Sequence, residues 1–261
     1  MIDLHFYGLW NRDGGVVPWS LCLARLQEAY NAGVTDLVAT PYICKNKTDL
    51  AWQDIKAQVQ AVQARAVAAG VPVRLYAGAE LELDEQLWQF LRQSPQAYCL
   101  AGSHYVLLSL HRHASASFVE NMLYDLMIQG YLPIIARPEL TPYFCGHPRR
   151  LLQWMHQGAL LQCDWASVAG VFGDSARRHS LEFVKHHMVT LLGSGTEAAV
   201  AYGPTVPAAE KAITAADIPW QTWGKCISHG ERVLGDQLFY PLLPECWEPP
   251  RLTFFSRLFG L

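Results

Sequence analysis

The chain has no long apolar run, no large excess of either charge and no paired cysteine motif, and each absence removes a class of function. No stretch reaches the roughly 18 consecutive apolar residues of a membrane span, and no basic segment precedes an apolar run at the N-terminus. The expectation is a cytoplasmic protein without a transmembrane segment. A formal charge of -3 and a pI near 6.3 supply no broad basic face. Nucleic acid is therefore not an expected partner, because binding to a phosphate backbone draws on such a face. The seven cysteines (Cys22, Cys44, Cys99, Cys145, Cys163, Cys226, Cys246) are odd in number, scattered and never spaced Cys-X-X-Cys. That pattern argues against a disulfide framework and against a zinc knuckle. Internal repeats and low-complexity segments are also missing.

What is present is enough apolar material for a full core: 261 residues, 51% of them hydrophobic. Short β-branched runs alternate with amphipathic stretches, the pattern of βα units around a parallel sheet. Strands are expected at Ile2 to Phe6, Asp36 to Thr40, Val73 to Ala77, Tyr105 to Leu110, Leu132 to Ala136, Leu160 to Cys163 and Val189 to Leu192. Helices are expected near Trp19 to Ala32, Leu50 to Ala69, Leu83 to Arg92, Ala116 to Gln129, Arg149 to Gln157 and Ser175 to His186, with Gly33 and Gly70 as stop signals. After about Ala198 the alternation fades into a region rich in Pro and Trp. The expected organisation is one barrel domain over 1–250 and an amphipathic C-terminal tail over 251–261. In that tail Phe254, Phe255, Leu258 and Phe259 share a helical face, with Arg251 and Arg257 off it. The tail could dock on a partner, lie in a membrane interface, where so few basic residues give only weak affinity, or pack back on the barrel.

In βα barrels, chemistry collects at the C-terminal ends of the strands. Six strand-end segments stand out in order: MIDLH (1–5), VTDLVATPY (34–42), AGAELELD (77–84), LPIIARPE (132–139), LLQCDWASVAGVFG (160–173) and LLGSGTE (191–197). In this order and spacing the chain resembles the bacterial PHP-type (polymerase and histidinol phosphatase) protein-tyrosine phosphatases of capsule and exopolysaccharide biosynthesis. The resemblance implies an α/β fold, a distorted (β/α)7 TIM-like barrel of the PHP type. It also implies a cluster of divalent ions, usually manganese, and as partner a bacterial tyrosine kinase that serves as polysaccharide co-polymerase.

The ligand set of that family is largely replaced. His5 and Glu80 stand at a ligand histidine and at the bridging glutamate. Tyr7 takes the place of the second histidine of His-X-His, and Tyr42 that of the histidine after Thr-Pro. Ser109 stands at an acidic ligand position, Arg137 replaces the histidine before Pro-Glu, and Gly195 and Glu197 replace an Asp-Ala-His pair. Leu140 stands where the family carries a phosphate-gripping arginine. Clustered cations repel one another and need many donors to neutralise them jointly. Losing one ligand or its supporting partner typically costs about 10- to 100-fold in affinity or activity, and Arg137 brings a guanidinium that is never deprotonated.

No catalytic residue is assigned on this reading, and no cofactor is expected. Pocket candidates are Arg137, Glu139, Glu197, Tyr7 and Tyr42; Arg137 is also the phosphate-binding candidate, and His5 and Glu80 are the retained metal positions. Arg137 is expected to pair with Glu80 or Glu197 within the old pocket, or else to point to solvent. Arg149 and Arg150 are further cations for phosphotyrosine. Two functions follow: a catalytically impaired pseudophosphatase that binds a kinase partner, or an active manganese-dependent phosphotyrosine phosphatase using His5, Glu80, Glu197 and Asp13 or His104. A purely structural subunit is a third. The His111-X-His113 spacing suits a chelate but lacks a nearby carboxylate. The run from Cys145 to Arg150 is one residue short of a cysteine-phosphatase loop.

Overall fold

The computed structural model describes residues 1–11, 13–44, 48, 50–111, 114–195, 202–242 and 244. Strands β1 (Ile2–Phe6), β2 (Asp36–Ala39), β3 (Tyr42–Ile43), β4 (Arg74–Ala77), β5 (Glu80–Glu82), β6 (Tyr105–Ser109), β7 (Leu132–Ala136), β8 (Leu160–Asp164) and β9 (Leu191–Gly193) pair in parallel throughout. They form two ladders, β1-β2-β4 and β3-β5-β6-β7-β8-β9. The split arises because β2 with β3, and β4 with β5, are the halves of two broken strands. Pro41 interrupts the first, where a proline has no N–H to give a ladder. Gly78 interrupts the second, where a Cβ would stand 2.8 Å from Val38 Cγ1. The sheet then closes on itself: Gly195 N donates to His5 O at 2.9 Å, and Ser194 Oγ donates to the same carbonyl at 2.9 Å. Counted as continuous paths, the strands among the described residues number seven, a curled parallel sheet of the expected distorted barrel type.

Helices α1 (Trp19–Asn31), α2 (Trp52–Ala68), α3 (Leu87–Leu91), α4 (Ala116–Ile128), α5 (Pro142–Gly146), α6 (Pro148–Gln157), α7 (Trp165–Ala169), α8 (Asp174–Lys185), α9 (Tyr202–Ala215) and α10 (Trp220–Leu234) accompany the sheet. The last two occupy the region after about Ala198 where the sequence pattern fades and no element is expected. Pro207 sits inside α9 and Gly224 and Gly230 inside α10, so intrinsic propensity is poor. Packing overrides it. A Cβ at Gly230 would stand 3.0 Å from Ile2 Cβ, so glycine is what lets α10 approach β1. Among the described residues no helix is long and apolar enough to cross a membrane. The tail at 251–261 lies outside the described residues.

Two apolar clusters divide the core. One lies between strands and helices. The other gathers Leu4, Val38, Tyr105, Leu107, Ile134, Leu160 and Leu191 from six strands, which places it inside the barrel. The N-terminal end of that interior is plugged, since Phe239 stacks on Tyr105 with ring centroids 6.0 Å apart and Tyr105 donates to Gln237 O. Toward the other end the inward positions turn polar along the same strands: Leu107 gives way to Ser109, and Leu160 to Gln162 and Asp164. The polar end is therefore the C-terminal one, the barrel mouth.

Candidate site at the barrel mouth

His5 reaches this mouth through a local irregularity. Asp3 of β1 pairs with Leu37 and Phe6 pairs with Ala39, so three steps along β1 oppose two along β2. The extra residue is a bulge, which re-aims a side chain that simple alternation would send outward from a strand whose Leu4 faces in. Asp3 braces the turn. Its Oδ1 accepts from His5 N and Ser194 N, both at 3.0 Å, and its Oδ2 accepts a short hydrogen bond from Tyr202 of α9.

The fully buried His5 imidazole is held on both nitrogens. Gln162 Nε2 lies 2.8 Å from Nδ1, and Glu80 Oε2 lies 3.0 Å from Nε2. With the Gln162 amide donating to Nδ1, the ring proton sits on Nε2 and is donated to Glu80. Glu80, itself fully buried, gives its other oxygen to Arg137, whose Nη2 donates at 2.5 Å. The same Nη2 is 3.3 Å from the Tyr7 hydroxyl, and Nη1 is 3.4 Å from Gly195 O. The guanidinium side chain is only 14% exposed, so it faces the pocket and not solvent. Its backbone is left-handed, φ 52°, immediately before Pro138. That conformation is uncommon for a residue with a Cβ, and here it turns the chain at the end of β7 while the side chain points back over the mouth.

Electrostatics follow from this packing. Burial pushes the Glu80 carboxyl up, but Arg137 and His5 outweigh it and bring it down to about 2. Burial pulls the Arg137 guanidinium down, and Glu80 and Asp164 more than reverse that. Asp164 goes the other way: burial first, then Glu139, Glu80 and Asp3, push it well above the usual carboxylate range despite Arg137. Neither Asp164 oxygen has a hydrogen-bond partner among the described residues. Glu139 Oε1 accepts from Asp164 N at 3.0 Å, while its Oε2 is likewise unpartnered there. The mouth thus holds one tight ion pair and, beside it, a buried acid whose carboxyl is pushed up by burial and by neighbouring carboxylates.

The other sequence candidates separate. Tyr7 is buried beside His5, with ring centroids 5.0 Å apart. Tyr42 instead donates to Glu82 Oε2 at 2.9 Å; burial and this carboxylate raise its phenol. Glu197 and His113 lie outside the described residues. Asp13 accepts from Gly15 N in its own turn. His104 pairs with Asp236 at 2.7 Å just before β6, at the plugged end of the barrel, which corrects its candidacy for this site. Arg150 lies 3.8 Å from Glu120. Cys145 donates to Glu139 O at 3.2 Å, and burial pushes its thiol up to about 12, so it offers no thiolate. The residues that sequence reasoning missed are Asp164, Gln162, Asp3 and Tyr202. A signal existed for two of them: Gln162 and Asp164 interrupt an apolar strand at spacing two.

A divalent ion needs several lone pairs converging on one point. Here both Glu80 oxygens and both His5 nitrogens point at other partners, and a fixed positive charge stands 2.5 Å from the carboxylate. Among the described residues no group of three His, Cys, Asp or Glu side chains is placed to hold a metal. The described residues do not fit a metal cluster.

Comparison with known proteins gives the site its context. Residues 1–216 match the family described as capsular polysaccharide synthesis, CpsB/CapC. Tyrosine-protein phosphatase YwqE of Bacillus subtilis (strain 168) is 25% identical over 198 residues, covering 74% of this chain and 76% of its own length. CapC of Staphylococcus aureus, provisionally designated a tyrosine-protein phosphatase, is 24% identical over 194 residues with the same coverage. A solved structure described as one of YwqE from Bacillus subtilis and CpsB from Streptococcus pneumoniae, unique metal-dependent tyrosine phosphatases, superposes with a TM-score of 0.86 at 21% identity. It covers 95% of this chain and 100% of that one, and so shares the PHP-type fold. The match runs from β1 through the end of α9, through every strand that builds the mouth, and on that extent the chain belongs to the CpsB/CapC family of tyrosine-phosphatase-like capsule-synthesis proteins.

Proposed function

We propose that this chain is a catalytically silent member of its family. In this reading it acts in the cytoplasm and engages the tyrosine-rich tail of a bacterial tyrosine kinase, the polysaccharide co-polymerase, without hydrolysing the phosphoester. The observation that carries the proposal is the Arg137 guanidinium hydrogen-bonded to Glu80 inside the mouth. A metal-dependent hydrolase makes its nucleophile by lowering the pKa of bound water toward neutrality. A guanidinium does not ligate water as a Lewis acid, and the His5 imidazole is engaged on both nitrogens. As a phosphate-binding group Arg137 would have to give up Glu80, which offsets its charge. Retention of the fold with a spent site fits a binding role, and the C-terminal tail at 251–261 is proposed as a second docking element.

The experiment is elemental analysis of the purified protein, then phosphate release from a phosphotyrosyl peptide with and without manganese. The proposal expects substoichiometric metal and no manganese-stimulated release. Stoichiometric manganese with turnover abolished by Glu80→Gln would overturn it. The second reading, a metal phosphatase with a rearranged site, is favoured by one observation: Asp164 presents two buried oxygens without a hydrogen-bond partner among the described residues, one of them 3.9 Å from His5 Nδ1. The same assay separates the two.

A further inference from the structure

The interior guanidinium is spent on Glu80, but two others beside the mouth are not. Arg177 and Arg178 lie in the first turns of α8, both exposed, and neither has an ion-pair partner among the described residues. The Arg177 side chain lies across the loop that follows α7, where a Cβ on Gly170 would meet its Cδ at 3.2 Å. Arg178 is the next residue of the helix, and its charge acts on the Cys145 thiol of α5. The turn at Pro138–Leu140, which carries the chain out of β7, packs against α8. Around these arginines the rim also leaves Leu140, Tyr143, Val171 and Phe172 exposed. The Tyr143 ring is held in place, stacked on His147 at 4.6 Å and set edge-on to Phe144 at 5.2 Å. Asp174 is the acid of the same turn of α8, and Glu182 is turned to His186 at 3.5 Å further along.

Exposed apolar groups clustered at one edge mark an interaction surface. Guanidiniums without an ion-pair partner among the described residues specify its chemistry: arginine pairs recognise a phosphate dianion through charge-assisted, forked hydrogen bonds. We infer that this rim, and not the interior pocket, is where a phosphotyrosyl segment of acidic character binds. Arg177 and Arg178 hold the phosphate, while Tyr143, Leu140 and Phe172 receive the ring and its apolar neighbours. The inference rests on the reading that the chain binds phosphotyrosine without turning it over.

The test is fluorescence anisotropy of the full chain with a labelled peptide that carries one phosphotyrosine among Glu and Asp residues. The unphosphorylated and phosphoserine peptides serve as comparisons. The phosphotyrosyl peptide should bind more tightly than either, and its affinity should fall with salt. The double variant Arg177→Glu/Arg178→Glu should weaken it by about tenfold to a hundredfold, the loss of charged hydrogen bonds at one phosphate. Lys211→Glu, an exposed change on α9, should leave it unaltered. Phe172→Ala should narrow the preference for phosphotyrosine over phosphoserine. Should the double variant fold poorly by circular dichroism, the single Arg178→Gln carries the same expectation on a smaller scale. Equal binding of phosphorylated and unphosphorylated peptides, or undiminished binding by a folded variant, would overturn the inference. A non-hydrolysable phosphonate version of the tyrosine separates it from the reading beneath it. Phosphate release from the ester overturns the silent site, whereas undiminished phosphonate binding by the variant overturns only the rim.

Discussion

Replacing Arg137 by alanine should remove about 3 kcal/mol of folding stability at neutral pH, because it strands the buried Glu80 carboxylate. Two routes lead to that size. Glu80 is held at about 2 against 4.5 for an unperturbed glutamate, a depression equivalent to about 3 kcal/mol of stabilisation of the charged form. Independently, removing one partner of a buried ion pair typically costs about 3 to 5 kcal/mol. The pH dependence has a definite sign. Since the folded value lies below the unfolded one, the Glu80 contribution is complete above 4.5 and is lost as pH falls toward 2. Without Arg137, burial acts against His5 alone and raises the carboxyl. The variant should then regain part of its deficit on acidification, as Glu80 takes up a proton within the fold. Urea unfolding followed by tryptophan fluorescence, at neutral pH and near about pH 4, measures both effects. The paired change Arg137→Met/Glu80→Gln should recover most of the loss, because no charge is then left alone and His5 keeps an acceptor. A deficit below about 0.5 kcal/mol, the level of an ordinary surface change, or one identical at both pH values, would refute the reasoning.

Gly195→Ala should lower stability by about 1 to 3 kcal/mol. Its φ is +52° and an added Cβ would stand 1.9 Å from Asp164 Oδ1, so a thermal midpoint equal to that of the parent would show that this loop gives way freely. Tyr202→Phe removes the hydroxyl that α9 donates to the buried Asp3 carboxylate. A loss of about 1.5 to 3 kcal/mol is expected for a hydrogen bond to a charged group; an unchanged urea midpoint would remove α9 from the bracing of β1.

The regular part of the barrel was legible because its strands obey simple rules. Ile2–Phe6 and Leu132–Ala136 are found residue for residue where the apolar runs place them. Short pieces were not legible. Glu80–Glu82 is a strand of two carboxylates around one leucine, which no propensity favours and which forms because β6 pairs beside it. Trp165–Ala169 follows β8 without a break, so no loop composition announces it. The helices after Ala198 were hidden by prolines and glycines whose use is tertiary. At the mouth, family resemblance drew attention to His5, Glu80 and Arg137. Asp3 and Tyr202, 199 positions apart in sequence, offered no local pattern that links them.

The amino-acid sequence by itself determined the alternation of strand and helix, the enclosed apolar core and the exchange of donor residues for tyrosine and arginine, because periodicity and residue chemistry are local properties of the chain. Tertiary structure decided where those residues point. A bulge in β1 turns His5 inward, a left-handed Arg137 folds back over β7, and closure of β9 on β1 brings Gly195 against Asp164. Each of these depends on strands remote in sequence meeting in a buried place, where an ion pair is held beside a buried acid, and no local pattern encodes that meeting.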